Sequence, residues 1–400
     1  MTTPTVLDLP ETPDLLQQKQ SVSLQSQSAS TRFYYMDSMR SILMMLGVVL
    51  HGALIYSSGD HWIVSDSHKS EFFAILDSVI HAFRMPAFFI IAGFFSMMSL
   101  KKYGIGTFTR VRLTRILVPL FCTALFINSI ELYFRTTIIQ HNPMTVAHFL
   151  TQVLPQKWIA GEWVSHLWFL LTLVQFFAVG IILFALKNPF SRFSHFDRYL
   201  GGLRKNCYFL FLLPLADISW SVAARLAPDI FHGSLFCGFL NLEDFMIYLP
   251  YYLVGLWLFH DRLLQNEFHT IARWEWGALV LAILTHHLLE NAHGLSQESF
   301  LRIYSTGLVF ALSSHICYVL FYKFMNRDSQ VFRYLSDASY SIYLFHHLCV
   351  IVIGYLLLNV QIAIGYKFLT VELATIAITL SIHHFLILRI KTLRFMFNGK

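Results

Sequence analysis

The chain has 400 residues, of which 56% are apolar, 16% aromatic and only 13% charged. Soluble globular domains carry about 25% charged residues, so this composition excludes a soluble domain and predicts a protein that crosses a membrane several times. The net charge of +6 is compatible with nucleic-acid binding. However, the basic residues lie between apolar segments, so we expect no nucleic acid among the partners.

Two regions differ in composition. Residues 1–32 are rich in Gln, Ser, Thr and Pro, which predicts a disordered cytoplasmic tail. Residues 33–400 form the predicted transmembrane domain, whose apolar segments lie at 42–58, 72–100, 114–131, 167–186, 207–227, 244–259, 275–292, 300–322, 338–359 and 368–388. A helix of about 20 apolar residues crosses a bilayer, so we predict an all-α bundle of about ten transmembrane helices.

The basic residues predict the orientation of this bundle. With the N-terminus in the cytoplasm, 22 of the 29 Lys and Arg residues fall on the cytoplasmic side. Cytoplasmic segments are enriched in Lys and Arg, whereas an odd number of spans or an inverted chain would remove this asymmetry. Both termini are therefore predicted to be cytoplasmic.

The first apolar segment carries Arg40 and His51, which are eleven residues apart. They share one helix face and lie about 16 Å apart along its axis, with Asp37 one turn before Arg40. An imidazole at mid-membrane depth is costly and indicates a functional site. The alternative is a histidine that only forms a hydrogen bond to a neighbouring helix.

The second segment places His81 and Arg84 on one helix face, near the depth of the first segment's histidine. A guanidinium at that depth needs a counter-charge or water, and Asp77 and Glu290 are the candidate partners. A structural ion pair and a direct substrate contact both remain open. Gly93, among four Phe residues, favours close helix packing over a catalytic role.

Arg112 and Arg115 precede the third segment, one helical turn apart. Guanidinium groups at the start of a helix attract phosphate, because the helix N-terminus carries a partial positive charge. The alternative is a purely topogenic charge.

Two later segments carry further polar groups. Glu162 and His166 have the i, i+4 spacing that lets a carboxylate orient an imidazole, and His346 lies in a segment that also contains Ser339, Ser341 and Tyr343. The pairs His286/His287 and His383/His384 have no such polar frame and favour hydrogen bonds between helices. Since no convergent ligand set has metal-binding spacing, we predict no metal site.

The order of these motifs resembles the acyltransferase-3 family of integral-membrane acyltransferases, in the branch that succinylates osmoregulated periplasmic glucans. The likeness covers residues 33–400. It is carried by Arg40-x10-His51 preceded by Asp37, His81-Ala-Phe-Arg84-Met, Arg112-x-x-Arg115, Ser165-His166-Leu-Trp168-Phe-Leu and Ser341-Ile-Tyr343-Leu-Phe-His346-His347. One departure is Ala92, where members of the family commonly have Ser.

The resemblance implies a role for each motif. His51 is the expected catalytic base with Arg40 and Asp37 as companions, while Arg112 and Arg115 are expected to bind the phosphates of an acyl-CoA donor. The residues expected to contact substrate are Arg84, His81, Glu162, His166 and His346.

The same resemblance implies the reaction and its partners. We expect acyl transfer, most readily of succinyl from succinyl-CoA, to hydroxyls of a periplasmic glucan in the inner membrane of a bacterium. No cofactor is expected to be bound permanently, and other glucan-synthesis proteins and membrane lipid are further expected partners. The alternatives are a transporter or flippase that moves a glycan or acyl carrier without forming an ester, and a scaffold whose polar residues are structural.

Overall fold

The computed structural model describes residues 32–59, 62–186, 197–231, 234–291 and 299–400. The predicted tail, residues 1–32, lies outside this range except for Arg32. The described residues form helices, apart from connecting segments and one antiparallel hairpin with two residues in each strand. This architecture confirms the all-α prediction.

The helices of the described chain are α1 Tyr34–Tyr56, α2 Glu71–Cys122, α3 Ser129–Phe134, α4 Val146–His148, α5 Leu154–Ile159, α6 Trp168–Ala185, α7 Asp197–Arg204, α8 Leu215–Leu226, α9 Pro228–Phe231, α10 Leu242–His260, α11 Arg262–Phe268, α12 Arg273–Asn291, α13 Phe300–Phe324, α14 Gln330–Leu357, α15 Ile364–Ser381 and α16 Lys391–Asn398. The hairpin strands are β1 Ser234–Leu235 and β2 Leu240–Asn241. Wide π-helical turns cover Thr123–Asn128, Arg135–Ile139, Phe149–Val153 and Ile382–Ile387, and 3₁₀ turns cover Ser165–Leu167 and Lys205–Leu212.

Seven helical runs in the described part of the chain are long and apolar enough to cross a membrane, which makes this a multi-pass membrane protein. They are Tyr34–Tyr56, Glu71–Ile139, Ser165–Ala185, Gly201–Leu226, Phe300–Phe324, Gln330–Leu357 and Ile364–Ile387.

This number differs from the predicted ten for two reasons. The segments predicted at 72–100 and 114–131 belong to one run of 69 residues, which leaves helical geometry at Gly104 (φ 74°) between them. The segments predicted at 244–259 and 275–292 correspond to α10 and α12, which carry charged residues in their first turns and are not among the seven runs. The count of ten and the cytoplasmic termini stay predictions.

The larger hydrophobic core is built around α2 and α10, whose backbones meet at two glycines. A Cβ atom at Gly93 would overlap the Tyr252 carbonyl and would lie 3.0 Å from Gly255 Cα. Small residues let two helices approach closely in a membrane, where dispersion contacts hold them together. The interpretation of Gly93 as a packing residue is therefore confirmed.

Helix α1 contributes to two separate cores. Its first half packs into the larger core through Met36, Met39 and Leu43, and its second half packs with α14 and α15 in a smaller core that includes Val48 and Ala53. Because both halves are anchored, the polar side chains along α1 have fixed positions inside the bundle.

Candidate functional site

A cavity of about 290 Å³ lies within the bundle where α1, α2, α6 and α14 meet. We call it the histidine cavity. Five of the residues predicted from the sequence line it: His51, His81, Arg84, His166 and His346. The fold therefore brings together side chains from four separate parts of the chain.

The His51 imidazole is surrounded by other rings. Its centroid lies 5.5 Å from that of Trp62, in a stacked arrangement, and 5.3 Å and 4.9 Å from those of His346 and His347. Its Nδ1 is buried without a hydrogen-bond partner among the described residues. Ring packing, rather than a hydrogen bond to Nδ1, thus holds this imidazole, and Nδ1 keeps its capacity to bind or release a proton.

Arg84 extends across the cavity to α1. A Cβ atom built on Gly47 would overlap Arg84 Nη1 and would lie 4.0 Å from His346 Nε2, so the guanidinium occupies the space that a side chain at position 47 would fill. Of its two predicted partners, Asp77 lines the same cavity, whereas the side chain of Glu290 lies outside the described residues. A cationic group is thus placed beside the histidines.

A buried carboxylate that was not predicted from the sequence lies next to these histidines. Glu131 is fully buried on α3, and it accepts hydrogen bonds from His347 Nδ1 at 2.8 Å and from Ser165 Oγ at 3.0 Å. A signal was present, because residues 116–130 contain no charged side chain and a carboxylate that ends such a run is expensive in a membrane. His347 had been noted only as part of a motif.

The expected pairing of Glu162 with His166 is wrong. Glu162 accepts a hydrogen bond from Lys157 Nζ at 2.7 Å, and neither ring nitrogen of His166 has a hydrogen-bond partner in the described part of the chain. Glu162 and His166 do not share a helix face, because residues 161–163 form a turn and Ser165, which lies between them, has a φ of 42°. Glu162 does not line the histidine cavity.

A second cavity of about 460 Å³ lies next to the first and is strongly basic. We call it the basic cavity, and its charged lining residues are Arg32, Arg40, Arg112, Arg115, Arg333, Asp337 and Lys400. Arg112 is held in place by a 3.1 Å hydrogen bond to Ser99 Oγ and by the rings of Phe108 and Phe177, each 5.6 Å from its guanidinium carbon. This arrangement supplies several guanidinium groups to an anionic ligand.

The structure separates the predicted companions of His51 from it. Arg40 lines the basic cavity rather than the histidine cavity, and Asp37 lies 2.8 Å from Arg32 and 3.8 Å from Arg40. Along α1, Asp37 is about 21 Å from His51, since they are fourteen residues apart. Asp37 and Arg40 therefore belong to the basic end of the bundle.

The two cavities share a wall. Met44, Phe88 and Phe169 line both of them, so an apolar constriction separates the basic groups from the histidines. An elongated molecule with an anionic end and a reactive end could occupy both cavities at once.

One set of side chains could hold a metal ion. Ligand atoms of Glu131, His166 and His347 all lie within 4.8 Å of one another, and all three residues are buried. This set could not be expected from the sequence, because its members are far apart in the chain.

Comparison with known proteins places the chain among acyltransferases. The family model described as an acyltransferase domain (Acyl_transf_3) matches residues 33–384. The proteins named "Glucans biosynthesis protein C" from Salmonella heidelberg (strain SL476), Salmonella typhi and Escherichia coli O81 (strain ED1a) are 29%, 29% and 28% identical to it over 381 residues, which is 92% of this chain and 95% of theirs. No solved structure matches the chain.

Proposed function

The chain belongs to the acyltransferase-3 family, and from this premise we propose that it transfers a succinyl group from succinyl-CoA to hydroxyls of periplasmic glucans. Family membership confirms the resemblance found in the sequence. The acceptor follows from the relatives, whose name assigns them to glucan biosynthesis. The donor follows from the basic cavity, which suits the phosphates of a coenzyme A ester.

One observation carries the proposal: a basic cavity and a histidine cavity adjoin through a shared apolar wall. Acyl-CoA has a polyanionic end and a thioester end joined by a flexible arm. With the phosphates held by Arg112 and Arg115, the arm passes Met44, Phe88 and Phe169 and brings the thioester to His51. The apolar wall also limits the access of water, which would otherwise hydrolyse the thioester.

The proposed chemistry needs a base at the acceptor hydroxyl. His51 accepts the hydroxyl proton while the hydroxyl oxygen attacks the thioester carbonyl carbon. The resulting tetrahedral intermediate collapses with cleavage of the C–S bond, and the thiolate takes the proton back from His51. A variant in which His51 itself is first acylated has the same overall balance.

Arg84 supplies positive charge in the same cavity. It stabilises the oxyanion of the intermediate or pairs with the free carboxylate of the succinyl group, and His166 is a further candidate for either contact. A cation held beside the reacting carbonyl stabilises the developing negative charge more strongly in a water-poor cavity than in bulk solvent.

Mass spectrometry of periplasmic glucans tests this function. Cells that express the chain should produce glucans carrying succinyl half-esters, and His51→Ala should lower ester formation about 10²- to 10⁴-fold while the protein still inserts in the membrane. His260→Ala is the matched control, because His260 is exposed at the end of α10 and lines neither cavity.

The outcomes separate the alternatives. Detection of neutral acetyl esters would show that the transferred group is acetyl rather than succinyl. Unaltered esterification by the His51 variant would refute the assignment of His51 as the base. Movement of a glycan across the membrane without any new ester would favour a transporter or flippase instead.

A further inference from the structure

The His51 ring packs against a hydrogen-bonded pair of buried residues that the proposed reaction does not use. Glu131 and His347 are 0% and 3% exposed, and His347 Nδ1 donates to Glu131 Oε2 at 2.8 Å. The other carboxylate oxygen accepts from Ser165 Oγ at 3.0 Å and lies 3.7 Å from Arg135 Nη1. With donors at both oxygens, the carboxylate is well suited to remain an anion.

His347 contacts both this carboxylate and the His51 ring. Since the carboxylate is the acceptor, Nδ1 of His347 carries the proton. The same ring forms a T-shaped contact with the His51 ring, with centroids 4.9 Å apart and planes at 86°. The Trp62 ring contacts both imidazoles, each at 5.5 Å between centroids, so the two rings hold one relative orientation.

A metal ion shared by Glu131, His166 and His347 fits these contacts less well. A zinc ion would lie about 2.0–2.1 Å from each imidazole nitrogen and in the plane of each ring. The rings of His166 and His347 are nearly parallel, with centroids 4.8 Å apart and planes at 22°, an arrangement typical of ring packing rather than of two imidazoles that share one ion. The Nδ1 of His347 is also already engaged by Glu131. The contacts therefore favour a hydrogen-bonded pair.

We propose that Glu131, acting through His347, is the counter-charge that stabilises His51 while it carries the proton of the acceptor hydroxyl. The inference rests on the proposed function, because it needs His51 to act as the base. Arg84 already places one positive charge in the cavity, so a second positive charge on His51 requires an anion nearby. The other titratable groups that line this cavity are Asp77, His81, His166, Tyr343 and His346.

Both members of the pair are positioning residues in this scheme. They neither form nor break a bond to the substrate, and each has the same protonation state before and after turnover. The effect is exerted only while His51 is protonated, so it should lower the barrier of the chemical step without changing the affinity for the donor.

The variant Glu131→Gln tests the proposal because it keeps the shape of the side chain and removes its charge. With purified protein and succinyl-CoA, kcat should fall roughly 100-fold with an unchanged KM for succinyl-CoA. The acid limb of the pH–rate profile should move to lower pH, because protonated His51 has lost its counter-charge. Glu131→Asp, which keeps the charge, should recover part of kcat, and the exposed Glu243→Gln should behave as wild type.

Several results would contradict the proposed role of Glu131. A wild-type kcat in Glu131→Gln, or a raised KM with no change in kcat, would overturn the inference. So would stoichiometric zinc in the wild type that Glu131→Gln loses. If Glu131→Gln does not purify as a folded protein, His347→Gln provides the same comparison of kcat, KM and pH profile. A wild type that forms no ester would refute the proposed function itself, and this result is distinguishable from an active wild type with an unaffected Glu131→Gln.

Discussion

At position 47 of α1, the absence of a side chain leaves room for the guanidinium of Arg84. The Arg84 Nη1 atom occupies the place of a Cβ, and His346 Nε2 lies at the edge of the same space. Glycine in the middle of a helix is less stable than alanine by about 1 kcal/mol. Close approach by Arg84 gives a physical reason for a glycine at this costly position.

Replacing this glycine should separate stability from activity. Gly47→Ala improves helix propensity but displaces Arg84 from its place beside His346, so we expect acyl transfer to fall at least about tenfold without a loss of thermal stability. Gly106→Ala is the control, because a Cβ there meets no atom within 4 Å. Full transfer activity in Gly47→Ala would show that this position of Arg84 is not needed.

At the scale of elements, the connection between α1 and α2 is fastened to α15. Lys367 Nζ on α15 donates to Asp66 Oδ2 at 2.7 Å and to the Leu358 carbonyl at 3.1 Å, while the Asp66 N–H donates to the Ile55 carbonyl at 2.9 Å. The same connection carries Trp62, which stacks on His51. The buried ion pair therefore helps to keep an indole over the proposed catalytic imidazole.

This ion pair predicts a pH dependence of stability. Burial raises the pKa of Asp66, but the hydrogen bonds from Lys367 and the His68 N–H, together with the Lys367 charge, hold that pKa below its usual value. A carboxyl whose pKa is lower in the folded protein stabilises it above the unfolded pKa of about 3.9, and this contribution is lost as the pH falls through the folded pKa.

The variant Asp66→Asn should lower the stability at pH 7 by about 3–5 kcal/mol, because it leaves a buried lysine unpaired. The difference from wild type should begin to shrink below about pH 4, where Asp66 becomes protonated in the unfolded chain, and should be lost as the pH falls through the lower folded pKa. Thermal unfolding in detergent between pH 7 and 3.5 measures both effects. The exposed pair of Asp328 and Arg333 supplies the control, Asp328→Asn, and equal melting temperatures for the two variants at pH 7 would contradict the prediction.

The sequence was informative about each helix taken alone. Apolar runs located the membrane segments, and depth along them placed Arg84 near the level of His51, because each residue advances a helix by about 1.5 Å. It was less informative about pairings between helices. The bond between Glu131 and His347 joins residues 216 positions apart, and only the packing of α3 against α14 creates it.

Local backbone geometry explains the other failure. The Glu162 to His166 spacing indicated one helix face, but a left-handed φ at Ser165 interrupts the helix between them. The Glu131 carboxylate accepts a hydrogen bond from the Ser165 hydroxyl and so helps to hold the uncommon left-handed conformation of Ser165. The hydrogen bond between Ser165 and Glu131, which the sequence could not predict, thus supports the backbone conformation that keeps Glu162 and His166 off one helix face.

At the scale of the whole molecule, charge and acid–base groups are separated along the bundle. The basic cavity lies at the end where α1 begins, and the histidine cavity lies deeper, beyond an apolar wall. If the N-terminus is cytoplasmic, as the basic residues predict, the basic cavity opens on the side where acyl-CoA is found. In the proposed reaction the glucan would then approach from the opposite side, and the ester would form without any movement of the whole donor across the membrane.

Donor binding should therefore depend on the charges of the basic cavity. Arg115→Gln should raise the KM for succinyl-CoA about tenfold with little change in kcat, since one charge-assisted contact to phosphate is worth about 1.5–3 kcal/mol. Arg112→Gln should raise this KM further, because Ser99 and two aromatic rings hold this guanidinium in place.

Arg110→Gln is the matched control, because Arg110 is an exposed arginine on the same helix that does not line the cavity. Added salt should weaken donor binding more in the wild type than in the Arg115 variant. An equal KM in the Arg110 and Arg115 variants would instead support the topogenic interpretation of these charges.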